Sequence, residues 1–92
     1  MSEAVTREFQ IINVKGLHAR ASAKFVDLVE KYDAQAEVSK DGLSVSGDSI
    51  MGLLMLTAPR GSRIKVTTSG PDALPLADAL EALVADYFGE GM

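Results

Sequence analysis

The sequence predicts an α+β domain: a four-stranded antiparallel sheet with three helices on one face, in the order βαββαβα. Three patterns predict it. Short runs alternating apolar with polar residues recur along the chain, and longer stretches space their apolar residues three and four apart. An Asp41-Gly42 pair lies between two alternating runs, the strongest short-range sign of an antiparallel hairpin, since both turn positions favour positive φ. Alternation also implies that one sheet face packs and the other meets water.

Taken in order, Val5 to Ile12 reads as the first strand, with Val5, Phe9 and Ile11 on one face and Arg7, Glu8 and Gln10 mostly outside. Asn13-Val14-Lys15-Gly16 breaks it. From about Ala19 the spacing turns helical: Ala21, Phe25, Leu28 and Tyr32, with Val26 and Val29, form an apolar stripe that ends at Tyr32-Asp33. Ala36 and Val38, then Leu43 and Val45, form the two arms of the hairpin. Ser49 to Leu56 is too rich in Met and Leu to favour strand and reads as a short helix, stopped by Ala58-Pro59-Arg60-Gly61. Arg63 to Thr68 supplies the fourth strand, with Ile64 and Val66 inward. In the last helix Asp72 is the expected N-cap, Pro75 falls in the first turn, and Ala73, Ala77, Leu80, Val84 and Tyr87 form the buried stripe.

The chain has 92 residues, 47% hydrophobic and 24% charged, which fits one globular domain over residues 1–92 and excludes disorder. There is no cysteine, so neither a disulfide framework nor a thiolate metal site is available. No apolar run approaches a membrane span, and the opening residues lack the apolar stretch of a secretory signal, so a cytoplasmic location without membrane contact is expected. A net charge of −4 has the wrong sign for a nucleic-acid binder. The charge is uneven. Residues 1–31 hold five bases (Arg7, Lys15, Arg20, Lys24, Lys31) against four acids, whereas residues 71–92 hold five acids and no base. An anionic group is better tolerated at the first end than at the last.

The one histidine, His18, sits in Gly16-Leu17-His18-Ala19-Arg20, after a strand and at the start of a helix. The plain reading of a lone histidine is a surface or capping residue, and one imidazole without thiols cannot supply a metal site; no metal and no cofactor is expected. The position adds a second reading. The first amides of a helix lack intrahelical acceptors and attract anions by ~0.3–1 kcal/mol, while disfavouring an imidazolium. A neutral, nucleophilic ring is therefore expected, a setting suited to a phosphorylated histidine. Arg20, taken singly an exposed helix arginine, lies in the first turn, where its guanidinium can fold back onto two phosphate oxygens. Gly16 is either an ordinary loop glycine or the residue that lets the backbone turn tightly before His18. Ala19 contributes helix-start backbone. Lys24, one turn on, is either solvated or a positive charge near the bound group.

Gly16-Leu17-His18-Ala19-Arg20, the Ala/Phe/Val helix after it, and Ser49-Ile50-Met51-Gly52-Leu53-Leu54-Met55-Leu56 together resemble HPr, the histidine-containing phosphocarrier family of the phosphoenolpyruvate-dependent phosphotransferase system. The resemblance covers nearly the whole chain and implies an open-faced β-sandwich. It further implies that His18 accepts a phosphoryl group on Nδ1 from phosphorylated enzyme I and passes it to an enzyme IIA-type protein. Arg20 and the first helix amides would steady the phosphate. Such a protein is a phosphoryl carrier rather than a stand-alone enzyme, and a monomer. Most members of the family have proline where this chain has Ala21, and alanine there is similar to the nitrogen-related or regulatory branch. Ser49 is an apt N-cap for its short helix; by resemblance it is also the regulatory serine phosphorylated by HPr kinase/phosphorylase. Ile50, Met51 and Leu54 are core candidates by spacing, but the segment is apolar nearly all round, so part of it should be exposed as a docking patch.

Two rivals are weak. Gly47-Asp48-Ser49 is similar to the opening of one lipase/esterase family, but the only histidine precedes it and 92 residues leave no room for a substrate pocket. An RNA-recognition module fails on charge and on the lack of sheet aromatics. A regulatory domain that keeps the fold and only docks remains the alternative.

Overall fold

Alternation places Val5, Arg7 and Phe9 on one side of the first strand, β1 (Val5–Gln10), and Thr6, Glu8 and Gln10 on the other, where all three are exposed. The structure is a computed structural model that describes residues 4–92. The elements that follow are α1 (Ala19–Glu30), β2 (Gln35–Lys40), β3 (Leu43–Ser46), α2 (Ile50–Met55), β4 (Arg63–Ser69) and α3 (Ala73–Ala85), closed by a 3₁₀ turn at Tyr87–Gly89. This is the order the sequence predicts.

The sheet runs β1-β4-β2-β3, antiparallel throughout, so β4 and β2 are central. Phe9 pairs with Ile64, and Val38 lies between Val66 and Val45. These apolar pairs all face the helices, and with Phe25, Leu53, Leu76, Leu80 and Phe88 they make one buried core. The opposite face carries Glu8, Lys65, Glu37 and Ser44 and is open to water. The hairpin turns at Asp41 (φ 51°) and Gly42 (φ 85°), both left-handed as its two-residue turn requires.

Several details depart from the sequence reading. Arg7 lies on the helix-facing side of β1, where its Nη1 donates to Asp78 at 2.7 Å and Glu81 at 2.9 Å on α3. Leu43, on the same face as Val45 but beside the hairpin turn, is exposed. Asp72 occupies the N-cap position of α3, but its carboxylate makes no cap bond; it accepts instead from the Asp33 amide at 2.9 Å. The start of α3 is held by Thr68, a buried hydroxyl that donates to the Ala73 carbonyl at 2.7 Å. Tyr87 does not extend the α3 stripe. The helix ends at Ala85, the backbone turns left-handed at Tyr87 (φ 57°) and Phe88 (φ 53°), and Phe88 is the residue that enters the core. Among the described residues no helix is long and apolar enough to cross a membrane.

Candidate functional site

The segment between β1 and α1 is shaped by Gly16 and Asn13. Gly16 has φ 66°, and a Cβ there would stand 2.5 Å from the Ala58 carbonyl oxygen and 2.8 Å from Pro59 Cα. Glycine is therefore needed both for conformation and for space. The Gly16 carbonyl accepts from the His18 amide at 2.9 Å and from Asn13 Nδ2 at 2.8 Å, and the Leu17 amide donates to the Ala58 carbonyl at 2.9 Å. These bonds fix where α1 begins.

His18 is the N-cap residue of α1, in extended conformation, and its side chain makes no capping bond. The first helical bond runs from the Ser22 amide to the His18 carbonyl at 2.8 Å, which leaves the amides of Ala19, Arg20 and Ala21 without helix acceptors. The imidazole is 27% exposed, half-buried at the surface. Lys15, Leu17, Thr57 and Pro59 line a shallow hollow on one side of it. A neighbouring hollow is lined by Lys15, Arg20, Lys24 and Glu90. Arg20 is exposed and makes no ion pair among the described residues.

The sequence reading missed Glu90. Its Oε2 meets His18 Nε2, and its Oε1 accepts from Asn13 Nδ2 at 2.9 Å. Desolvation pushes the Glu90 carboxyl up. The hydrogen bonds from Asn13 and His18, joined by the electrostatic attraction of His18 and Lys15, outweigh it and hold the group below the ordinary carboxylate value. Glu90 arrives through the left-handed Tyr87-Phe88-Gly89 turn, pinned by buried Phe88 and by Lys24, whose Nζ donates to the Phe88 carbonyl at 2.7 Å. Lys24 thus holds the tail rather than standing free. The acidic end of the chain folds back onto the mildly basic first third. Charge asymmetry and the Phe88-Gly89 pair were the available signals; a partner 72 positions from His18 has no local signature.

Phe88→Ala is expected to cost ~3–5 kcal/mol, the usual range for emptying a buried Phe site, and to release Glu90 from His18. Denaturant unfolding reads the first effect, and the imidazole's NMR shifts read the second.

On the other side of α1, α2 begins at Ser49, whose Oγ accepts from the Gly52 amide at 3.0 Å. Ser49→Ala is expected to lower stability by about 1 kcal/mol in thermal unfolding, through loss of this cap alone. Met51 is 71% exposed, Met55 64%, and Ile50 also is exposed. Leu54 is half-buried, while Leu53 and Leu56 are the residues that fill the core. The exposed patch therefore centres on Ile50, Met51 and Met55, and the spacing argument did not single out Met55.

Comparison with known proteins agrees with this architecture. Residues 5–86 match the family model for the PTS HPr component phosphorylation site. A phosphocarrier protein HPr from Cupriavidus necator is 48% identical over 85 residues, covering 92% of this chain and 96% of that protein. One from Neisseria meningitidis is 44% identical over the same shares. Among solved structures, HPr from Thermoanaerobacter tengcongensis superposes with a TM-score of 0.88 at 37% identity, covering 98% of this chain and 99% of that one. HPr from Bacillus anthracis gives 0.82 at 38% identity over 86% and 94%. With its four-stranded antiparallel sheet, its three helices and its match along nearly the whole length, the chain belongs to the HPr family of phosphotransferase-system phosphocarriers.

Proposed function

We propose that the protein takes a phosphoryl group from phosphorylated enzyme I onto Nδ1 of His18 and hands it to a histidine on an enzyme IIA-type protein. The observation that carries this reading is the placement of His18: a surface imidazole at the start of α1, beside three amides without helix acceptors. A phosphoryl group on the ring would find donors in those amides and charge in Arg20 and Lys15, which line the flanking hollows. These contacts are few and open to water, as a carrier requires, since a group held in a deep pocket would not move on. Positioning for in-line transfer is then shared with the partner's site.

Docking is assigned to the patch of Ile50, Met51, Met55 and part-buried Leu54 on α2, which packs against α1. Flexible methionines suit a surface that meets several partners, and the interfaces would be small, under about 1,200 Å². Ser49 lies at the edge of this patch. A phosphate on its Oγ would bring about −1.5 to −2 charges to the docking surface and weaken engagement of enzyme I by repulsion, which supports a regulatory role.

The test is to mix the protein with enzyme I and phosphoenolpyruvate and measure intact mass. An acid-labile gain of about 80 Da (one HPO₃, as expected for a carrier that holds one phosphoryl group) supports transfer. No adduct, with binding to enzyme I retained, would leave a docking domain that keeps the fold.

A further inference from the structure

We infer that Glu90 is a positioning residue for His18: held by Asn13, its carboxylate keeps the ring hydrogen on Nε2 and so leaves the Nδ1 lone pair free to attack phosphorus. This rests on the carrier reading above.

The argument begins with Asn13, whose side chain is fully buried. Its Nδ2 donates two hydrogens, one to the Gly16 carbonyl at 2.8 Å and one to Glu90 Oε1 at 2.9 Å. Rotating the amide by half a turn would set its oxygen against two acceptors, so the orientation is fixed by its partners. The cost of that orientation is visible: Asn13 Oδ1 is buried with no hydrogen-bond partner. A buried acceptor left unpaired is tolerated where the other end of the group is needed. The tail shows the same bias. Two non-glycine residues in succession, Tyr87 and Phe88, adopt left-handed backbone, and the turn is clamped by Lys24 on the Phe88 carbonyl. Strain of this kind persists only where surrounding contacts enforce it, and here its result is to deliver Glu90, whose side chain is 13% exposed, to the ring.

An ionised carboxylate only accepts hydrogen bonds, so the hydrogen shared with Nε2 must come from the ring. In neutral imidazole the bond made by one nitrogen decides the state of the other. Nδ1 is then an unprotonated nucleophile. When its lone pair forms the N–P bond, the bond between phosphorus and the donor's nitrogen breaks, and that electron pair stays on the donor ring. The His18 ring retains its Nε2 hydrogen and becomes formally cationic, with the Glu90 carboxylate as counter-ion. No proton needs to move during the step.

Two substitutions separate this from a merely structural role. In Glu90→Gln the carbonyl oxygen is required by Asn13, which turns the amide NH₂ toward Nε2. Two donors cannot face each other, so the ring must accept there and carry its hydrogen on Nδ1. Glu90→Ala simply frees the ring. Phosphoryl uptake from enzyme I is therefore expected to fall on the order of tenfold in the glutamine variant, the lower end for loss of a partner that orients a reactive imidazole, and less in the alanine variant. The ¹⁵N shifts of neutral His18 should report Nε2–H in the wild type and a shift toward Nδ1–H in Glu90→Gln. A glutamine variant that keeps Nε2–H and transfers as fast as the alanine variant overturns the proposal. The tautomer measurement uses no enzyme I, so its outcome is independent of whether the wild type accepts phosphate; a wild type that takes none overturns the carrier reading instead.

Discussion

His18→Ala is expected to abolish phosphoryl uptake from enzyme I and phosphoenolpyruvate while leaving the fold intact. The two halves of this expectation have separate causes. His18 is the one imidazole in the chain, and the other basic side chains lining the flanking hollows, Lys15, Arg20 and Lys24, are cationic and poor nucleophiles; in the proposed relay Lys15 and Arg20 would be contacts to the phosphoryl group. Loss should therefore be complete rather than graded. The ring contributes little to stability because it caps nothing: the N-cap bond of α1 is made by the His18 backbone carbonyl, which alanine keeps. Its side-chain hydrogen bond among the described residues is to Glu90, whose other oxygen remains bonded to Asn13. The free energy of unfolding should accordingly change by no more than is typical of a surface substitution, about 0.5 kcal/mol. An acid-labile adduct retained in this variant would place the acceptor elsewhere.

Gly16→Ala is expected to have the largest effect on stability per atom added. The loop holds residue 16 at φ 66°, a left-handed conformation that costs alanine about 1–2 kcal/mol. The added methyl group also drives into the Ala58 carbonyl and Pro59, both backbone and unable to rotate away, adding about 1–3 kcal/mol of overpacking. The sum, roughly 2–5 kcal/mol, is a large share of a small domain's stability. Function should suffer beyond the stability loss. The Gly16 carbonyl is the shared acceptor of the His18 amide and Asn13 Nδ2, so displacing it disturbs the start of α1 and the support of Glu90 together. Denaturant unfolding gives the first quantity. Uptake measured well below the melting temperature gives the second, and wild-type uptake by a destabilised but folded variant would show that the loop geometry is not needed.

The contrast between these variants shows what the sequence makes legible. Strand alternation is read directly because side chains of period two must choose a face, and Phe9, Val38, Ile64 and Val66 all chose the helices. Asp41-Gly42 and the α1 stripe are equally local, and both are observed. Gly16-Leu17-His18-Ala19-Arg20 and Ser49 are contiguous motifs, so their positions at helix starts follow from neighbours in the chain. Arg7 was misplaced although parity with Val5 and Phe9 puts it on the packed side; its charge hid that parity until Asp78 and Glu81 on α3 supplied partners. Asp72 stands at the N-cap the sequence predicts, but a distant amide, that of Asp33, takes the carboxylate that local reasoning gives to the helix. Tyr87 kept the helical period, but the chain leaves the helix to bury Phe88 instead. Glu90 was illegible because its meaning depends on two residues far back in the chain and on a left-handed turn that no periodicity announces.

Which ring nitrogen carries the phosphoryl group is the quantity that most directly joins the position of His18 to its chemistry. It can be read from the ³¹P–¹⁵N coupling in protein labelled at its histidine and phosphorylated by enzyme I. The expected result is a single species bonded through Nδ1, with Nε2 still protonated against Glu90. A phosphoryl group on Nε2, the nitrogen this structure has already committed to Glu90, would contradict the account.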